Sequence, residues 1–504
     1  MKYDLRLPLI VALLLGVGLM TVSTAALSPQ AAPGIFTKQL LGILLAALPE
    51  GALMRRAAYG LATIVADELS RRAGVVVGRR VCAIVGSGDN GGDALWALTF
   101  LRRRGVSTSA VLLNPERAHR AGLAAFRKAG GRVVSAVPGD TDLVLDGVVG
   151  ISGTGPLRPG AAEIAEQINA EGIPVIAVDI PSGVDVHTGT VDGAAFRAAV
   201  TVTFGGYKPV HALGDCGEVR LVDIGLDLPA TTIRELDAHD VALAWPIPGP
   251  ADDKYTQGVT GVLAGSHTYP GAAILCAGAA VAATAGMVRY AGSAAAEVVS
   301  HWPEVIATQT EEAAGRVQAW VIGPGYGTGE RQTRTLRRVL SGGLPVLVDA
   351  DALTILAEHP ELADLVAARD APTLLTPHAG EYRRLAGEPP GPDRVGAARS
   401  LALRLGATVL LKGNVTVIAQ PDGTAYVNKA HGSWAATAGS GDVLSGVIGA
   451  LLAAGVPADK AAAMGAYVHA RAASAAAADP GPGKAPISAS RLLGHLRWAV
   501  AEIG

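Results

Sequence analysis

Two glycine-rich runs carry the residue types best suited to chemistry on an anionic substrate. The sharper is Ala438-Gly-Ser-Gly-Asp-Val-Leu-Ser-Gly446, which opens an apolar helix expected to reach about Ala454. Backbone N–H groups of Gly439, Ser440 and Gly441, with the helix dipole behind them, form an anion hole of the kind that suits a phosphate in transfer. Asp442, at the helix start, is placed to take a proton from a hydroxyl acceptor. Phosphoryl transfer needs little beyond such positioning, charge neutralisation and a metal ion. The plain alternative is a helix cap, with Asp442 satisfying the dipole.

The second run is Gly86-Ser-Gly-Asp-Asn-Gly-Gly-Asp93, expected as a loop between a strand at 81–85 and a helix at 94–103. Gly86, Gly88 and Gly91 satisfy GxGxxG, in which glycines allow close backbone approach and the helix start attracts anions. A dinucleotide fingerprint also needs an acid at the end of the next strand. Here that strand ends in Asn114, which argues against an ordinary dehydrogenase. A tight turn with no ligand is the alternative.

Other expected strand ends carry further candidates. In the first half these are Asp146, Gly150-Ile-Ser-Gly-Thr-Gly-Pro156, Asp179-Ile-Pro-Ser-Gly183 and Gly205-Gly-Tyr-Lys208. Carboxyl ends of parallel strands share one edge, so Asn90, Asp146, Asp179, Ser182 and Lys208 are expected to converge there. Asp146 and Lys208 suit an acid/base pair. Asn90, Asp146 and Ser182 are hard oxygen donors, fit for an alkali or alkaline-earth cation. In the second half, Gly323-Pro-Gly-Tyr-Gly327, Asp349-Ala-Asp351, Thr376-Pro-His-Ala-Gly-Glu381 and Lys412-Gly-Asn-Val-Thr416 end strands. Lys412 suits a nucleotide phosphate, and His378 suits a hydrogen bond to substrate. Asp349 and Asp351 either orient a metal or water or are structural.

The elements that must hold these residues are read from short, continuous apolar runs. Expected strands lie at 80–85, 109–113, 143–145, 174–178, 200–204 and 219–222, then at 258–264, 317–322, 345–348, 373–375, 408–411 and 415–418. Continuous runs separated by Ala-rich helical stretches predict parallel sheets covered on both faces. A Pro-rich break at 245–253 divides them, so the expected class is α/β with two doubly wound domains. At roughly 150 residues per domain, a 504-residue chain allows two large units or three. Half the residues are hydrophobic and 17% are charged, which excludes disorder. A formal charge of -2 supplies no basic field, so no nucleic-acid partner is expected. Cys82, Cys216 and Cys276 are scattered, which excludes a disulfide scaffold and a zinc ribbon. Residues 1–35 fit neither domain. Lys2 and Arg6 precede an uncharged run that resembles a signal peptide, while its most apolar part is short for a bilayer span. A wrongly assigned start is the alternative.

With these motifs in place, the first half resembles NAD(P)H-hydrate epimerases. The resemblance rests on Asp89-Asn-Gly-Gly-Asp93, on Asp146 with the 150–156 stretch, and on Asp179-Ile-Pro-Ser-Gly183. It implies a Rossmann-like fold that interconverts the R and S hydrates of the nicotinamide ring (NADHX and NADPHX), with a bound K+ ion. Asn90, Asp146 and Ser182 would bind the potassium. Asp89, Asn90, Gly91, Gly92, Asp93, Gly150, Ile151, Ser152, Gly153, Thr154, Gly155, Pro156 and Asp179 would contact the hydrate. The family reads Asn-Asn-Gly-Gly-Asp-Gly, where this chain has Asp89 first and Ala94 last. The family's opening helix is expected near 37–47, but its acidic residue is not visible there.

The second half resembles the ribokinase-like ADP-dependent NAD(P)H-hydrate dehydratases. The carrying residues are Asp253-Lys-Tyr-Thr-Gln-Gly258, Ala264-Gly-Ser, Gly271-Ala-Ala, Gly323-Pro-Gly and Thr376-Pro-His-Ala-Gly-Glu381. The resemblance implies that ADP or ATP, with Mg2+, phosphorylates the C6 hydroxyl of the S hydrate, after which phosphate leaves. Ala272, Gly325, His378 and Asp442 would contact the hydrate. Lys412, Gly413, Asn414, Val415, Thr416 and Gly441 would contact the nucleotide. The implied layout is 36–229 for the epimerase, 230–253 for a linker and the start of the second domain, and 254–504 for the dehydratase. Catalysis would fall to Asp146, Lys208 and Asp442. Intracellular nucleotide substrates imply the cytoplasm, and a homo-oligomer is expected. The rival is a ribokinase-like small-molecule kinase carrying a Rossmann-like ligand-binding or scaffolding domain.

Overall fold

The computed structural model describes residues 51–504, apart from Thr154, Ala285 and His431. The expectations for 1–35 and for a helix at 37–47 lie outside the described residues. The described residues form two compact units. One consists mainly of residues up to Pro229 and the other mainly of residues from Ala230. Among the described residues, no helix is long and apolar enough to cross a membrane.

The N-terminal unit is built on β1 (Arg80–Val85), β2 (Ser107–Leu112), β3 (Arg132–Val134), β4 (Leu143–Gly147), β5 (Val175–Val178), β6 (Ala198–Phe204) and β7 (Glu218–Val222). The sheet order is β3-β2-β1-β4-β5-β6-β7, and every pairing is parallel. Alternation within β1 serves two layers. Val81, Ala83 and Val85 pack with Leu61, Leu69, Leu95 and Leu98 on one face. Cys82 and Ile84 pack with Ile168 and Phe196 on the other. A strand buried on both sides must be apolar throughout, which is why β1, β4 and β5 are visible in the sequence.

The C-terminal unit holds β8 (Ile233–Arg234), β9 (Val259–Leu263), β10 (Met287–Ala291), β11 (Ile306–Thr308), β12 (Ala319–Ile322), β13 (Val346–Val348), β14 (Thr373–Leu375), β15 (Thr408–Leu411), β16 (Val415–Ala419) and β17 (Ala425–Lys429). Their order is β11-β10-β9-β12-β13-β14-β15-β16-β17-β8. Only β16 runs antiparallel to its neighbours. Helices Pro270–Ala283, Ser440–Ala453 and Ala458–Ala478 cover one face. Helices Glu330–Ser341, Ala350–Glu358 and Arg394–Leu405 cover the other. Helix Ser440–Ala453 lies so close to helix Pro270–Ala283 that a Cβ on Gly446 would fall 2.2 Å from the Cys276 carbonyl oxygen.

The two doubly wound sheets agree with the expected α/β class. In each, chain order reverses once beside the centre, between β1 and β4 and between β9 and β12. Ligands of open parallel sheets bind at such a point. Five strands were absent from the expectation: β3, β8, β10, β11 and β17. β3, β8 and β11 have three residues or fewer, while β10 and β17 mix Arg289, Asn428 and Lys429 into their apolar pattern. One local expectation is corrected. Asp89–Asp93 is not loop but the first turn of helix Asp89–Arg103, because the turn is completed by Gly88 in an extended conformation.

Candidate active sites

In the N-terminal unit the β1–β4 crevice is lined by backbone. A side chain on Gly86 would place its Cβ 1.9 Å from the Val148 carbonyl oxygen, so glycine is what lets the β1 turn lie against the β4 turn. Asn90 Nδ2 donates to the Val149 carbonyl at 2.9 Å. Val149 N in turn donates to Ser182 Oγ at 3.0 Å. Ser182 then donates twice to Asp146, from Oγ to Oδ1 at 2.6 Å and from N to Oδ2 at 2.7 Å. Asn90, Asp146 and Ser182 therefore meet around one residue, Val149. Burial drives the Asp146 carboxyl up to about 6 against these hydrogen bonds. In the following loop, Gly150 approaches Asn90, and Gly153 N donates to Gly150 O at 2.9 Å. Ile151, Ser152, Gly155 and Pro156 are exposed, and Thr154 lies outside the described residues.

The expected Asp146–Lys208 pair does not form. Lys208 Nζ instead donates to Asp179 Oδ1 at 2.5 Å and to Thr203 Oγ1 at 2.7 Å. Strand order is the reason. Asp179 ends β5 and Lys208 follows its neighbour β6, whereas Asp146 lies on β4, one strand further away. Asp179 also holds a left-handed backbone, φ 69, a conformation that a non-glycine residue keeps only when its surroundings enforce it. His211, which sequence reasoning passed over, supplies part of that enforcement. Its Nδ1 accepts from Lys208 N at 2.9 Å, and its Nε2 donates to the Asp179 carbonyl at 2.8 Å. Its spacing of three residues from Lys208 was the available signal. Asp93 completes the cluster. Its Oδ1 is buried with no hydrogen-bond partner. Burial, then Asp179 and Asp89, push its carboxyl up to about 8.

In the C-terminal unit the crevice begins with Gly325, at φ +57, where a Cβ would lie 2.8 Å from the Ala272 Cβ. Ala272 and Gly325 are thus neighbours, and both lack bulk where a flat ring could approach. His378 caps helix Ala379–Ala386. Its Nδ1 accepts from Gly380 N and Glu381 N, and its Nε2 lies 3.4 Å from Glu381 Oε1. Lys412 Nζ lies 2.7 Å from Asp349 Oδ1, 3.6 Å from Glu381 Oε2 and 3.6 Å from where a Gly441 side chain would begin. Burial opposes charge on Lys412, but Asp349 and Glu381 outweigh it and hold its pKa above the ordinary value. Gly441 and Asp442 occupy the first turn of helix Ser440–Ala453, where backbone N–H groups have no intrahelical acceptor. Burial and then Asp349 push the Asp442 carboxyl up to about 7. Gly413 and Asn414 form the turn between β15 and β16, and Val415 and Thr416 open β16. Arg394 braces the turn from the Lys412 carbonyl, and Ala430 N from the Asn414 carbonyl.

Asp349 is structural in this setting, since its other oxygen accepts from Ser445 Oγ at 2.8 Å. Asp351 Oδ2 likewise accepts from Gly327 N, which fixes the β12 loop. Ser445 and His469 were not singled out from sequence. Each lies inside an apolar helical pattern, where a polar residue is more often a passenger.

Fold and sites together define a pair of doubly wound α/β enzyme units, the second with a buried aspartate in the first turn of helix Ser440–Ala453. Residues 50–210 match the family described as YjeF-related protein N-terminus, and residues 260–494 match that described as NAD(P)H-hydrate dehydratase. A bifunctional NAD(P)H-hydrate repair enzyme of Mycobacterium leprae is 68% identical over 460 residues, covering 91% of this chain and 97% of the relative. The one from Mycobacterium tuberculosis is 70% identical with the same coverage. That of Corynebacterium glutamicum is 40% identical, covering 74% and 78%. Among solved structures, an ADP/ATP-dependent NAD(P)H-hydrate dehydratase of Bacillus subtilis, co-crystallised with ATP and Mg2+, is 28% identical, covers 55% of this chain and all of its own, and has a TM-score of 0.49. The chain belongs to the family of bifunctional NAD(P)H-hydrate repair enzymes.

Proposed function

We propose that the N-terminal unit epimerises the R and S hydrates of NADH and NADPH, and that the C-terminal unit dehydrates the S form at the expense of ADP or ATP. The observation that carries the second half is the approach of Lys412 to Gly441, beside Asp442 in the first turn of helix Ser440–Ala453. A hydroxide is a poor leaving group and a phosphate a good one, so an anion hole gives a dehydration its driving step. Asp442 accepts the C6 hydroxyl proton as that oxygen attacks the terminal phosphoryl group and displaces AMP from ADP, or ADP from ATP. Gly441 N–H and Lys412 Nζ meet the charge on the transferred group. The phosphorylated ring then expels phosphate from C6 and loses the C5 proton, which restores the double bond.

The residue chemistry fits the two ions this reading implies. Asn90, Asp146 and Ser182 bring oxygen donors around Val149, a set suited to potassium. Potassium there would supply positive charge beside the hydrate. Among the described residues, no group of three His, Cys, Asp or Glu side chains could hold a metal. Mg2+ carried mainly by the nucleotide's own phosphates fits that finding. In the N-terminal unit, proton movement at C6 falls to the Asp179–Lys208 pair and Asp93. Asp146 has both oxygens engaged and holds Ser182. Residues 36–229 and 254–504 are the proposed domains, acting on intracellular nucleotides in the cytoplasm.

The test supplies mixed hydrates with ADP and follows dihydronicotinamide absorbance. Full recovery is expected. Recovery that stops at the S fraction, while the second unit remains active, removes the epimerase reading. Stable phosphorylated hydrate in place of free phosphate favours the kinase rival.

A further inference from the structure

The segment that carries the anion hole is held mostly by itself. Ala436 N donates to Ser433 O, Thr437 N to Ala435 O, and Ser440 N to Thr437 O. Ser440 Oγ donates to Ala435 O at 2.6 Å. The turn runs directly into helix Ser440–Ala453, so whatever holds the start of that helix also holds Gly441. Among the described residues, the hydrogen bond that ties Ala435–Gly441 to another element is His469 Nε2 to the Ser440 carbonyl, at 2.9 Å.

His469 sits on helix Ala458–Ala478, and its side chain is buried. The Ser440 carbonyl is only an acceptor, so Nε2 must carry the proton. Burial lowers the ring to about 4, against the pull of the Ser440 bond and with Lys412 adding to the fall. The imidazole is therefore neutral at working pH. It orients without adding a cation that would compete with Lys412 for phosphate.

We infer that His469 is a positioning residue of the dehydration reaction, whose Nε2–H grips the Ser440 carbonyl and so aims Gly441 N–H and Asp442 at the transferred phosphoryl group. The inference rests on reading the C-terminal unit as the nucleotide-dependent dehydratase. A peptide plane is rigid, so fixing the Ser440 carbonyl fixes the direction of the Gly441 N–H on the same peptide. The Ser440 carbonyl opens the first turn of helix Ser440–Ala453, and the His469 bond adds a second hold on that peptide from a neighbouring helix. Asp442 follows one residue later. His469 itself lies behind the loop and touches neither phosphate nor ring.

The experiment uses the full-length enzyme, pure S hydrate and ATP, and compares wild type with His469→Leu and His469→Gln. Leu removes the N–H and keeps a buried apolar side chain. Gln keeps an N–H within reach of the same carbonyl. His469→Leu is expected to lower kcat and raise the KM for ATP by about ten-fold or more, the scale of losing one buried hydrogen bond in an anion site. The KM for the hydrate should stay within about two-fold. His469→Gln should recover both parameters to within about three-fold, because restoring the donor restores the aim. A His469→Leu enzyme with wild-type kcat and KM overturns the inference. So does a His469→Gln enzyme as impaired as His469→Leu, or a loss that tracks only a fallen melting temperature in both. If His469→Leu does not fold, a folded His469→Gln decides alone, since its wild-type KM for ATP supports the donor role and a ten-fold rise overturns it. A wild-type enzyme that fails to dehydrate S hydrate removes the functional reading instead, and is recognised before any variant is compared.

Discussion

Asp349 joins Lys412 to Ser445, with one carboxylate oxygen 2.7 Å from the lysine nitrogen and the other 2.8 Å from the serine hydroxyl. Lys412 follows β15 and Asp349 follows β13, so this contact crosses over the end of β14. Ser445 lies three residues beyond Asp442 on the same helix. One carboxylate thus sets the distance between Lys412 and the helix that carries Asp442.

Asp349→Ala should therefore injure both stability and dehydration. It leaves Lys412 without its nearest counter-charge, and breaking a buried pair in this way costs about 3–5 kcal/mol. Denaturant unfolding measures the loss. Among soluble variants, dehydration should fall while epimer exchange stays unchanged, because Asp349 belongs only to the C-terminal unit.

Asp442→Asn should abolish nucleotide-dependent dehydration, by about 10²–10⁴-fold for loss of a general base, and spare epimerisation. Its carboxyl is raised to about 7. Only the ionised form accepts a proton, so kcat/KM for dehydration should climb as pH rises through about 7 and level above it. A rate that is flat from pH 6 to 8 would contradict Asp442 as the base.

Lys208→Ala and Asp179→Asn should each stop epimer exchange, measured by proton NMR on a single hydrate epimer. Dehydration of supplied S hydrate should continue at the wild-type rate. Thr203→Val probes the same cluster more gently, since it removes a hydroxyl that both Asp179 and Lys208 contact. It should slow exchange without abolishing it.

Asp93→Asn tests a buried proton. The folded carboxyl is raised from 3.8 to about 8. Stability attached to its bound proton is fully present below 3.8 and is lost as pH rises through about 8. Melting temperature should fall with rising pH across that window. The asparagine variant should fall less steeply.

Much of this arrangement is readable from sequence, for one physical reason. Parallel strands buried on both faces cannot hide, so β1, β14 and β15 emerge with the bounds the apolar runs predict. Chemistry placed just after them is then placed on one edge. What cannot be read is which strand neighbours which. Lys208 was assigned to Asp146 because both end strands, and only the order β4-β5-β6 awards it to Asp179. The same ignorance concealed His211, Ser445 and His469. Their partners are distant in sequence or are main-chain atoms, and no local pattern marks a backbone carbonyl that needs a donor.

The near-contact of Gly446 with Cys276 has a meaning for how this catalyst can be altered. Helix Ser440–Ala453 rests against helix Pro270–Ala283 at Gly446, which meets the Cys276 carbonyl and the Ala279 methyl with no room for a side chain of its own. Helix Pro270–Ala283 also carries Ala272, beside Gly325. A single methyl at position 446 would act as a wedge, driving apart the helix that carries Asp442 and the helix that carries Ala272. The enzyme's working gap is thus calibrated from its far side, by the thickness of one absent carbon.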